Sequence, residues 1–175
     1  MINIDNQLLE KFSLVKAICF DFDGVFTDNL VYTNELGHEM VCCNRSDGIG
    51  VSTIKKLGIK VFIVSSEKNK VVEMRSRKLN IDCYQGVNDK AKLIETISKE
   101  INIPLYKFAF VGNDINDLSA LETVGLPIAV EDSYCEIFKF CKYKTKSRGG
   151  KGAVREICDI LSYAIKTYTK TKNIG

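Results

Sequence analysis

Short runs of apolar residues recur along the chain, and segments with a different pattern separate them. Continuous apolar runs of this length, bounded by Gly, Asp, Asn or Ser, are typical of strands buried on both faces of a sheet. They predict strands at residues 15–22, 59–64, 82–85, 108–111 and 126–130.

Between these runs, apolar residues recur at helical spacing. Ile49, Val51, Ile54 and Leu57 give one such face, and Gly58 marks the end of that helix. The same criterion predicts helices at residues 47–57, 68–79, 89–101, 116–124 and 151–168, with a short helix at 134–138.

The alternation of strands and helices predicts an α/β protein with a doubly wound, Rossmann-like parallel sheet and helices on both faces. A β-hairpin is predicted early in the chain, where residues 30–33 and 39–43 flank a turn sequence at 34–37. No linker or repeat is visible, so we expect a single domain over residues 1–175. In such sheets the ligand site lies beyond the carboxyl ends of the strands.

The composition is that of an ordinary globular protein and excludes several functions. Of 175 residues, 45% are hydrophobic and 27% are charged, and the net charge of +3 is too weak to indicate a nucleic-acid partner. The N-terminus lacks the basic start and apolar run of a signal peptide, and no stretch is long enough to span a membrane. We therefore expect a cytoplasmic protein without membrane association.

Histidine and cysteine usage narrows the possible chemistry. His38 is the single histidine, which excludes mechanisms that need two imidazoles in one subunit. Carboxylates, lysines, hydroxyls or thiols must then carry any catalysis. Seven cysteines without a C-x-x-C motif favour reduced, buried thiols over a disulfide framework or a zinc site. A catalytic thiol at Cys42 or Cys43, paired with His38, is the remaining thiol alternative.

Two aspartates directly follow the first predicted strand. Alternation in an extended segment places Asp21 and Asp23 on the same side, at the carboxyl edge of the sheet. Two carboxylates so close repel each other unless a cation or a proton intervenes. Oxygen ligands without His or Cys favour Mg²⁺ over Zn²⁺. The alternative interpretation is a turn that ends the strand.

Other polar residues occupy equivalent positions after later strands. Alone, each is an ordinary turn, cap or surface residue, but their order at successive strand ends indicates a catalytic site. They are Ser65 and Ser66, Lys90 at a helix start, and Asn113, Asp114 and Asp117.

This ordered set resembles the haloacid dehalogenase superfamily of phosphatases. The first motif, Asp-x-Asp-Gly-x-x-Thr, stands at residues 21–27, and the second is Ser65 at the end of a hydrophobic strand. The third motif is Lys90, and the fourth is the acidic pair Asp114 and Asp117. The resemblance implies a phosphomonoester hydrolase with the fold of that superfamily.

A narrower similarity is to the 3-deoxy-manno-octulosonate 8-phosphate (Kdo 8-phosphate) phosphatase family. It rests on the hairpin and on the segments 47–50, 85–90 and 148–156. That family implies a hairpin flap, no separate cap domain, a homotetramer and a phosphorylated sugar acid as substrate. Kdo enzymes usually carry Thr-Gly-Arg after the second strand, whereas residues 65–67 here read Ser-Ser-Glu.

This departure bears on the substrate. Glu67, with Arg75 and Lys78 on the next helix, is similar to the relatives that act on KDN or N-acylneuraminate 9-phosphate. A nine-carbon acid is therefore favoured, and Kdo 8-phosphate is the alternative. A phosphomutase, a broad phosphatase and a non-catalytic module associated with sugar-nucleotide synthesis are further alternatives.

The resemblance also implies a role for each motif residue. Asp21 would be the nucleophile that forms an aspartyl phosphate, and Asp23 would be the general acid and then the general base. Mg²⁺ would be held by Asp21, the main-chain carbonyl of Asp23, and Asp114. Ser65 and Lys90 would neutralise the phosphoryl oxygens, although Ser66 is an alternative to Ser65.

The remaining candidates support this centre or bind substrate. Asp117 would orient Lys90 or a metal-bound water, and Asn113 is a neutral neighbour of Asp114. The predicted substrate-binding residues are Gly24, Thr27, Ser66, Glu67, Arg75, Lys78 and Arg148. The last three are candidates to bind the substrate carboxylate, in their own subunit or in a neighbouring one.

Overall fold

A six-stranded parallel sheet forms the centre of the computed structural model, which describes residues 4–172, with side chains to residue 169. Two short strands form a separate antiparallel hairpin. The strands are β1 (Ala17–Phe20), β2 (Tyr32–Thr33), β3 (Glu39–Met40), β4 (Lys60–Val64), β5 (Asp82–Tyr84), β6 (Phe108–Gly112), β7 (Leu126–Ala129) and β8 (Tyr143–Lys144). The order in the large sheet is β5-β4-β1-β6-β7-β8.

Six α-helices connect and cover these strands in the described part of the chain. They are α1 (Asn6–Leu14), α2 (Ser46–Lys56), α3 (Lys70–Leu79), α4 (Lys90–Glu100), α5 (Leu118–Thr123) and α6 (Ala153–Lys172). Short 3₁₀ helices stand at Leu105–Lys107, Ile115–Asp117 and Cys135–Phe140. The predicted doubly wound sheet is confirmed, and no cap domain interrupts residues 4–172.

The sheet separates two apolar layers. Ile18 and Phe20 of β1 face the layer that α1, α2 and α6 cover, whereas Ala17 and Cys19 face the layer that α4 and α5 cover. Successive strand residues point to opposite faces, so a strand buried on both sides reads as a continuous apolar run. This is why the strands were visible in the sequence.

The strand order fixes where the site must lie. The chain runs outward from β1 through β4 to β5, and then returns to β6 on the other side of β1. The direction of winding therefore reverses between β1 and β6, which leaves a crevice beyond their carboxyl ends. Residues 21–27 follow β1 and residues 113–117 follow β6, so both acidic motifs meet at this crevice.

The predicted hairpin exists but is shorter than predicted. Only residues 32–33 and 39–40 pair, and the Asn34 carboxamide oxygen accepts the N–H groups of Leu36 and His38 to close the turn. An isolated antiparallel bridge between Thr27 and Cys43 joins the base of the hairpin to the loop after β1. His38 is exposed at the end of the hairpin turn.

Several expectations need correction. Helix α1 and strand β8 were not predicted, and the short helix predicted at residues 134–138 is a 3₁₀ helix at residues 135–140. All seven cysteines are free, in agreement with the predicted reduced thiols, but only Cys19 and Cys158 are buried, whereas Cys42 and Cys135 are exposed. Among residues 4–172, no helix combines the length and apolarity needed to cross a bilayer.

Candidate active site

A tight turn after β1 places the first two aspartates. The carbonyl oxygen of Phe22 accepts the N–H groups of Val25, Phe26 and Thr27, so the backbone folds back immediately after the strand. The N–H of Asp21 still bonds to Val111 of β6, which holds Asp21 at the edge of the sheet.

Asp21 and Asp23 line a small cavity of about 150 Å³ at the crevice. A cavity of this size can hold a phosphoryl group with a few waters, but not a whole sugar acid. The other lining residues are Asn29, Ser65, Ser66, Glu67, Asn113, Asp114 and Asn116.

Lys90 forms a buried ion-pair triad behind this cavity. Its Nζ lies 2.9 Å from Asp21 Oδ1 and 2.6 Å from Asp117 Oδ1, and its side chain is 1% exposed. The first residue of α4 is an unfavourable position for a cation, because the helix dipole is positive there. The two carboxylates offset this cost, and the Lys90 ammonium thereby places a buried positive charge beside Asp21.

Burial and charge shift the pKa values of these groups. Burial, together with the charge of Asp117, raises the pKa of Asp21 to about 7 against the opposing effect of Lys90. Burial lowers the pKa of Lys90, but Asp21 and Asp117 outweigh it, so the net shift is upward and the ammonium stays charged. A cation bound beside Asp21 would lower its pKa again.

Asp23 has a different environment from Asp21. Partial burial raises the pKa of Asp23, and the charges of Glu67 and Glu39 raise it further, while Lys90 opposes them. A carboxyl group that tends to keep its proton is suited to donate it.

The loop after β6 is ordered by its own carboxylates. Asp117 Oδ2 accepts the backbone N–H of Asn113 at 2.9 Å, and its Oδ1 accepts Lys90. Asp114 Oδ1 accepts the N–H of Ile115 at 2.6 Å, which starts the following 3₁₀ turn. Asp117 is wholly buried, whereas Asp114 reaches the cavity.

The two serines differ in burial. Ser65 is buried at the end of β4, and its Oγ accepts the N–H of Glu67 at 3.2 Å, so the hydroxyl proton can point to a ligand. Ser66 is exposed, with its Oγ 3.5 Å from the Asn116 carboxamide nitrogen. Both serines line the cavity.

The donor set at the cavity fits a hard divalent cation. Within residues 4–172 no three His, Cys, Asp or Glu side chains are arranged as a metal cluster. The predicted site needs only two, because Asp21 and Asp114, which both line the cavity, would supply carboxylates, and the family resemblance implies the main-chain carbonyl of Asp23 as the third protein ligand. An all-oxygen site with remaining positions for water and phosphate is what Mg²⁺ requires.

A family model described as haloacid dehalogenase-like hydrolase matches residues 51–157. The chain belongs to this family. The match contains Ser65, Lys90, Asp114 and Asp117, while the loop with Asp21 and Asp23 precedes it.

Curated relatives extend the similarity of this haloacid dehalogenase-like hydrolase over nearly its whole length. The 3-deoxy-D-manno-octulosonate 8-phosphate phosphatase KdsC of Escherichia coli K12 is 33% identical over 162 residues, covering 92% of the chain and 86% of the relative. KdsC of Yersinia pestis is 30% identical over the same length. The chain is therefore also a member of the KdsC family, and it is a phosphoric monoester hydrolase.

Solved structures agree with the observed fold. The KdsC enzyme of Yersinia pestis has a TM-score of 0.91 at 29% identity, covering 95% of this chain and 90% of that one. The enzyme of Moraxella catarrhalis, solved with a magnesium ion, a phosphate ion and a KDO molecule, has a TM-score of 0.89 at 28% identity, covering 96% and 99%. The predicted family and fold class are confirmed.

Two predicted substrate-binding residues of this hydrolase instead shape the loop. Thr27 is wholly buried and does not line the cavity, and its Oγ1 accepts the N–H groups of Gly24 at 3.1 Å and Asn29 at 3.2 Å. The amide of Gly24 is thus already bonded, and Gly24 is itself buried. In the structure both groups thus hold the loop together, and a substrate contact of Thr27 or Gly24 stays a prediction.

A larger cavity of about 800 Å³ lies between the hairpin and α3, and it shares Glu67 with the small one. Arg75 and Lys78 line it, as do Lys68 and Lys70. The Arg75 guanidinium is already engaged, because its Nη2 donates to the Asn44 carbonyl at 2.7 Å.

Arg148 is not brought to either cavity within the chain. It is largely exposed and pairs with Glu131 at 3.0 Å. The neighbouring Gly149 packs against the loop after β1, since an added Cβ there would lie 1.8 Å from the Gly24 carbonyl oxygen.

Sequence reasoning missed Asn29 and Asn116, which line the small cavity. Asn116 lies inside the fourth motif, between Asp114 and Asp117, and its proximity to two motif residues was a usable signal. Asn29 follows the first motif by two residues and offered no pattern of its own.

Proposed function

We propose that this hydrolase removes phosphate from a phosphorylated 3-deoxy sugar acid in two steps. The Asp21 carboxylate attacks phosphorus, the bond from phosphorus to the sugar oxygen breaks, and Asp23 donates its proton to that oxygen. Asp23 then takes a proton from a water molecule that attacks the aspartyl phosphate, which releases inorganic phosphate and restores Asp21. The carrying observation is the cavity lined by Asp21 and Asp23 with Lys90 2.9 Å from Asp21.

The supporting roles follow from charge and position. Lys90 and the Ser65 hydroxyl stabilise the negative charge of the phosphoryl oxygens, and Asp117 fixes the Lys90 ammonium between the two carboxylates. Lys90 also opposes the elevated pKa of Asp21 and so favours the carboxylate that must act as nucleophile.

Mg²⁺ is the proposed cofactor. Asp21, Asp114 and the main-chain carbonyl of Asp23 would hold it, and the magnesium-bound Moraxella catarrhalis relative supports this choice. When bound, the ion neutralises the repulsion between the Asp21 carboxylate and an approaching phosphate.

The proposed substrate is Kdo 8-phosphate, the compound named for the curated relatives. The small cavity would take the phosphoryl group, and the adjoining larger cavity has the volume of a typical small-molecule site. The lysines that line the larger cavity, Lys78 in particular, supply positive charge for the substrate carboxylate.

Glu67 supports a nine-carbon acid, KDN or N-acylneuraminate 9-phosphate, as the second candidate. Its carboxylate borders both cavities, where it can accept hydrogen bonds from the hydroxyls of a longer chain. Glu67→Arg should then shift the preference toward Kdo 8-phosphate.

A homotetramer is proposed to cover the open site. The hairpin exposes Leu30, Tyr32, Leu36 and Met40, each more than half accessible, and a cluster of exposed apolar residues is typical of an interface. In a tetramer Arg148 could act on a neighbouring site. A monomer mass in light scattering would contradict this proposal.

The free thiols support a reducing compartment, in line with the expected cytoplasmic location.

The test is phosphate release from Kdo 8-phosphate, KDN 9-phosphate and N-acetylneuraminate 9-phosphate. We expect turnover with Mg²⁺, loss with a chelator, and recovery when Mg²⁺ is restored. Asp21→Asn should abolish turnover, whereas Asp159→Asn, an equal loss of charge on α6, should not. Turnover that survives both chelation and Asp21→Asn would sink the mechanism.

A further inference from the structure

Asn29 holds an unusual backbone conformation at the wall of the small cavity. Its φ of 63° is left-handed, a conformation that side chains with a Cβ adopt only at an energetic cost. Among residues 4–172, Asn80 and Asn102 are the other non-glycine residues with positive φ. Both stand directly after helices, α3 and α4, where the left-handed conformation ends a helix. Asn29 does not follow a helix and lies instead at a bend in the loop between the first motif and the hairpin.

The backbone around Asn29 is fixed from two sides. Thr27 Oγ1 accepts its N–H at 3.2 Å, and Lys151 Nζ pairs with the adjacent Asp28 at 3.1 Å. This anchoring sets the Asn29 side chain on the cavity wall with Asp21 and Asp23. Within residues 4–172 its carboxamide makes no hydrogen bond, so both the donor and the acceptor are available to a ligand.

The chemistry of a carboxamide indicates which part of a ligand it meets. Phosphoryl oxygens at neutral pH mainly accept hydrogen bonds; Ser65 on the cavity wall provides a donor for them, and Lys90 behind Asp21 provides positive charge. A carboxamide pairs well with a hydroxyl, because each group both donates and accepts. Asn29 is an exposed residue of the cavity lining, so its carboxamide can meet the part of a ligand that extends from the cavity toward solvent.

We infer that Asn29 is a specificity-determining residue whose carboxamide hydrogen-bonds a hydroxyl on the substrate carbon chain next to the phosphate ester. The inference rests on the proposed function for the existence of a hydroxylated phosphomonoester substrate. It does not depend on which sugar acid that substrate is.

The experiment compares Asn29→Ala and Asn29→Gly with the wild type and with Asn102→Gly. kcat/KM is measured for the hydroxylated phosphomonoester that the wild type turns over fastest, and for p-nitrophenyl phosphate, which has no hydroxyl. Both Asn29 variants should lose about fivefold on the hydroxylated ester and less than about twofold on p-nitrophenyl phosphate. Asn102→Gly relieves the same backbone conformation away from the site and should change neither value.

Thermal unfolding separates this role from a structural one. Glycine favours the left-handed conformation, so Asn29→Gly should keep or raise Tm while it loses discrimination. Equal losses on both esters, or an unchanged ratio, would overturn the inference. A wild type that rejects the sugar acid phosphates but accepts another hydroxylated ester would refute the proposed substrate alone, and the Asn29 ratio would still be measured on that ester.

Discussion

Lys90 Nζ lies between two carboxylates, 2.9 Å from Asp21 Oδ1 and 2.6 Å from Asp117 Oδ1, at a point that solvent barely reaches. Asp117 also accepts the N–H groups of Asn113 and Asp114 through its other oxygen. One buried side chain thus connects the cation behind the nucleophile to the loop that carries the proposed metal ligand.

Replacing Asp117 should therefore impair activity without removing any proposed ligand or nucleophile. In Asp117→Asn the amide can still meet some of these partners, but Lys90 loses one of its two counter-charges. We expect kcat/KM to fall about 10- to 100-fold and the Mg²⁺ concentration for half-maximal activity to rise. Steady-state kinetics across a Mg²⁺ titration measure both effects.

Asp159→Asn is the matched control, because Asp159 pairs with Arg155 on α6 at 2.8 Å and does not line the small cavity. It should behave like the wild type in the same titration. If Asp117→Asn kept wild-type kinetics and Mg²⁺ response, Asp117 would have no orienting role.

Gly149 should be intolerant of any side chain, because the backbones of two loops meet there. A Cβ would lie 1.8 Å from the Gly24 carbonyl oxygen and 2.9 Å from that of Thr27, and backbone cannot move aside as a side chain can. Gly149→Ala should displace the loop after Asp21 and lower the free energy of unfolding by about 1–3 kcal/mol. Activity should fall more than tenfold, about the cost of a small misplacement at a reacting group.

Gly58→Ala provides the comparison. Gly58 has φ +83°, but its added Cβ meets open space between α2 and β4. It should lose about 1 kcal/mol through backbone strain and keep its kcat/KM. Similar activity losses in the two variants would mean that general destabilisation, and not the displaced loop, explains the Gly149 result.

The carboxylate of Glu156 should make stability depend on pH. It accepts the Tyr143 hydroxyl at 2.7 Å, the N–H of Lys146 at 2.9 Å and the N–H of Ser147 at 2.8 Å. Burial raises the pKa of Glu156, but these hydrogen bonds outweigh it and hold the pKa below its usual 4.5. A lowered folded-state pKa stabilises the fold above the unfolded-state value, and this contribution disappears as the pH falls through the folded-state value.

Thermal unfolding of Glu156→Gln against wild type tests this. The Tm difference should be several degrees at pH 7 and should shrink as the pH falls below about 4.5. Glu95→Gln, on the exposed face of α4, should give little difference at any pH. A Tm difference for Glu156→Gln that stays constant from pH 7 to pH 3.5 would contradict the assignment.

The sequence predicted the sheet and the acidic motifs well for a physical reason. Strands buried on both faces must be continuously apolar, and charged residues placed directly after them must lie at the edge of the sheet. Asp21, Asp23 and Lys90 could be grouped on that basis. The distances between these side chains could not be predicted, because the Lys90 triad depends on the strand order β4-β1-β6 and on where α4 begins.

The sequence could not predict the roles of residues that depend on loop geometry. Thr27 belongs to the first motif and reads as a ligand contact, yet its hydroxyl serves the loop itself. Strand β8 has only two residues and lies at the edge, where polar residues are tolerated and no apolar run develops.

Helix α1 was the other omission, and its packing leads to the last prediction. Asp5 caps it by accepting the N–H of Leu8 at 2.8 Å, and Phe12 is wholly buried with its ring 5.5 Å from that of Tyr143 in an edge-to-face arrangement.

Phe12→Ala should lower the free energy of unfolding by about 3–5 kcal/mol, since it opens a cavity between α1 and the sheet. Leu14→Ala, on the same helix but 46% exposed, should cost about 0.5 kcal/mol or less. Denaturant unfolding measures both, and kcat/KM well below the lowered Tm should stay near wild type in each, because α1 contributes no residue to the small cavity. A Phe12→Ala variant as stable as Leu14→Ala would show that α1 does not hold the sheet.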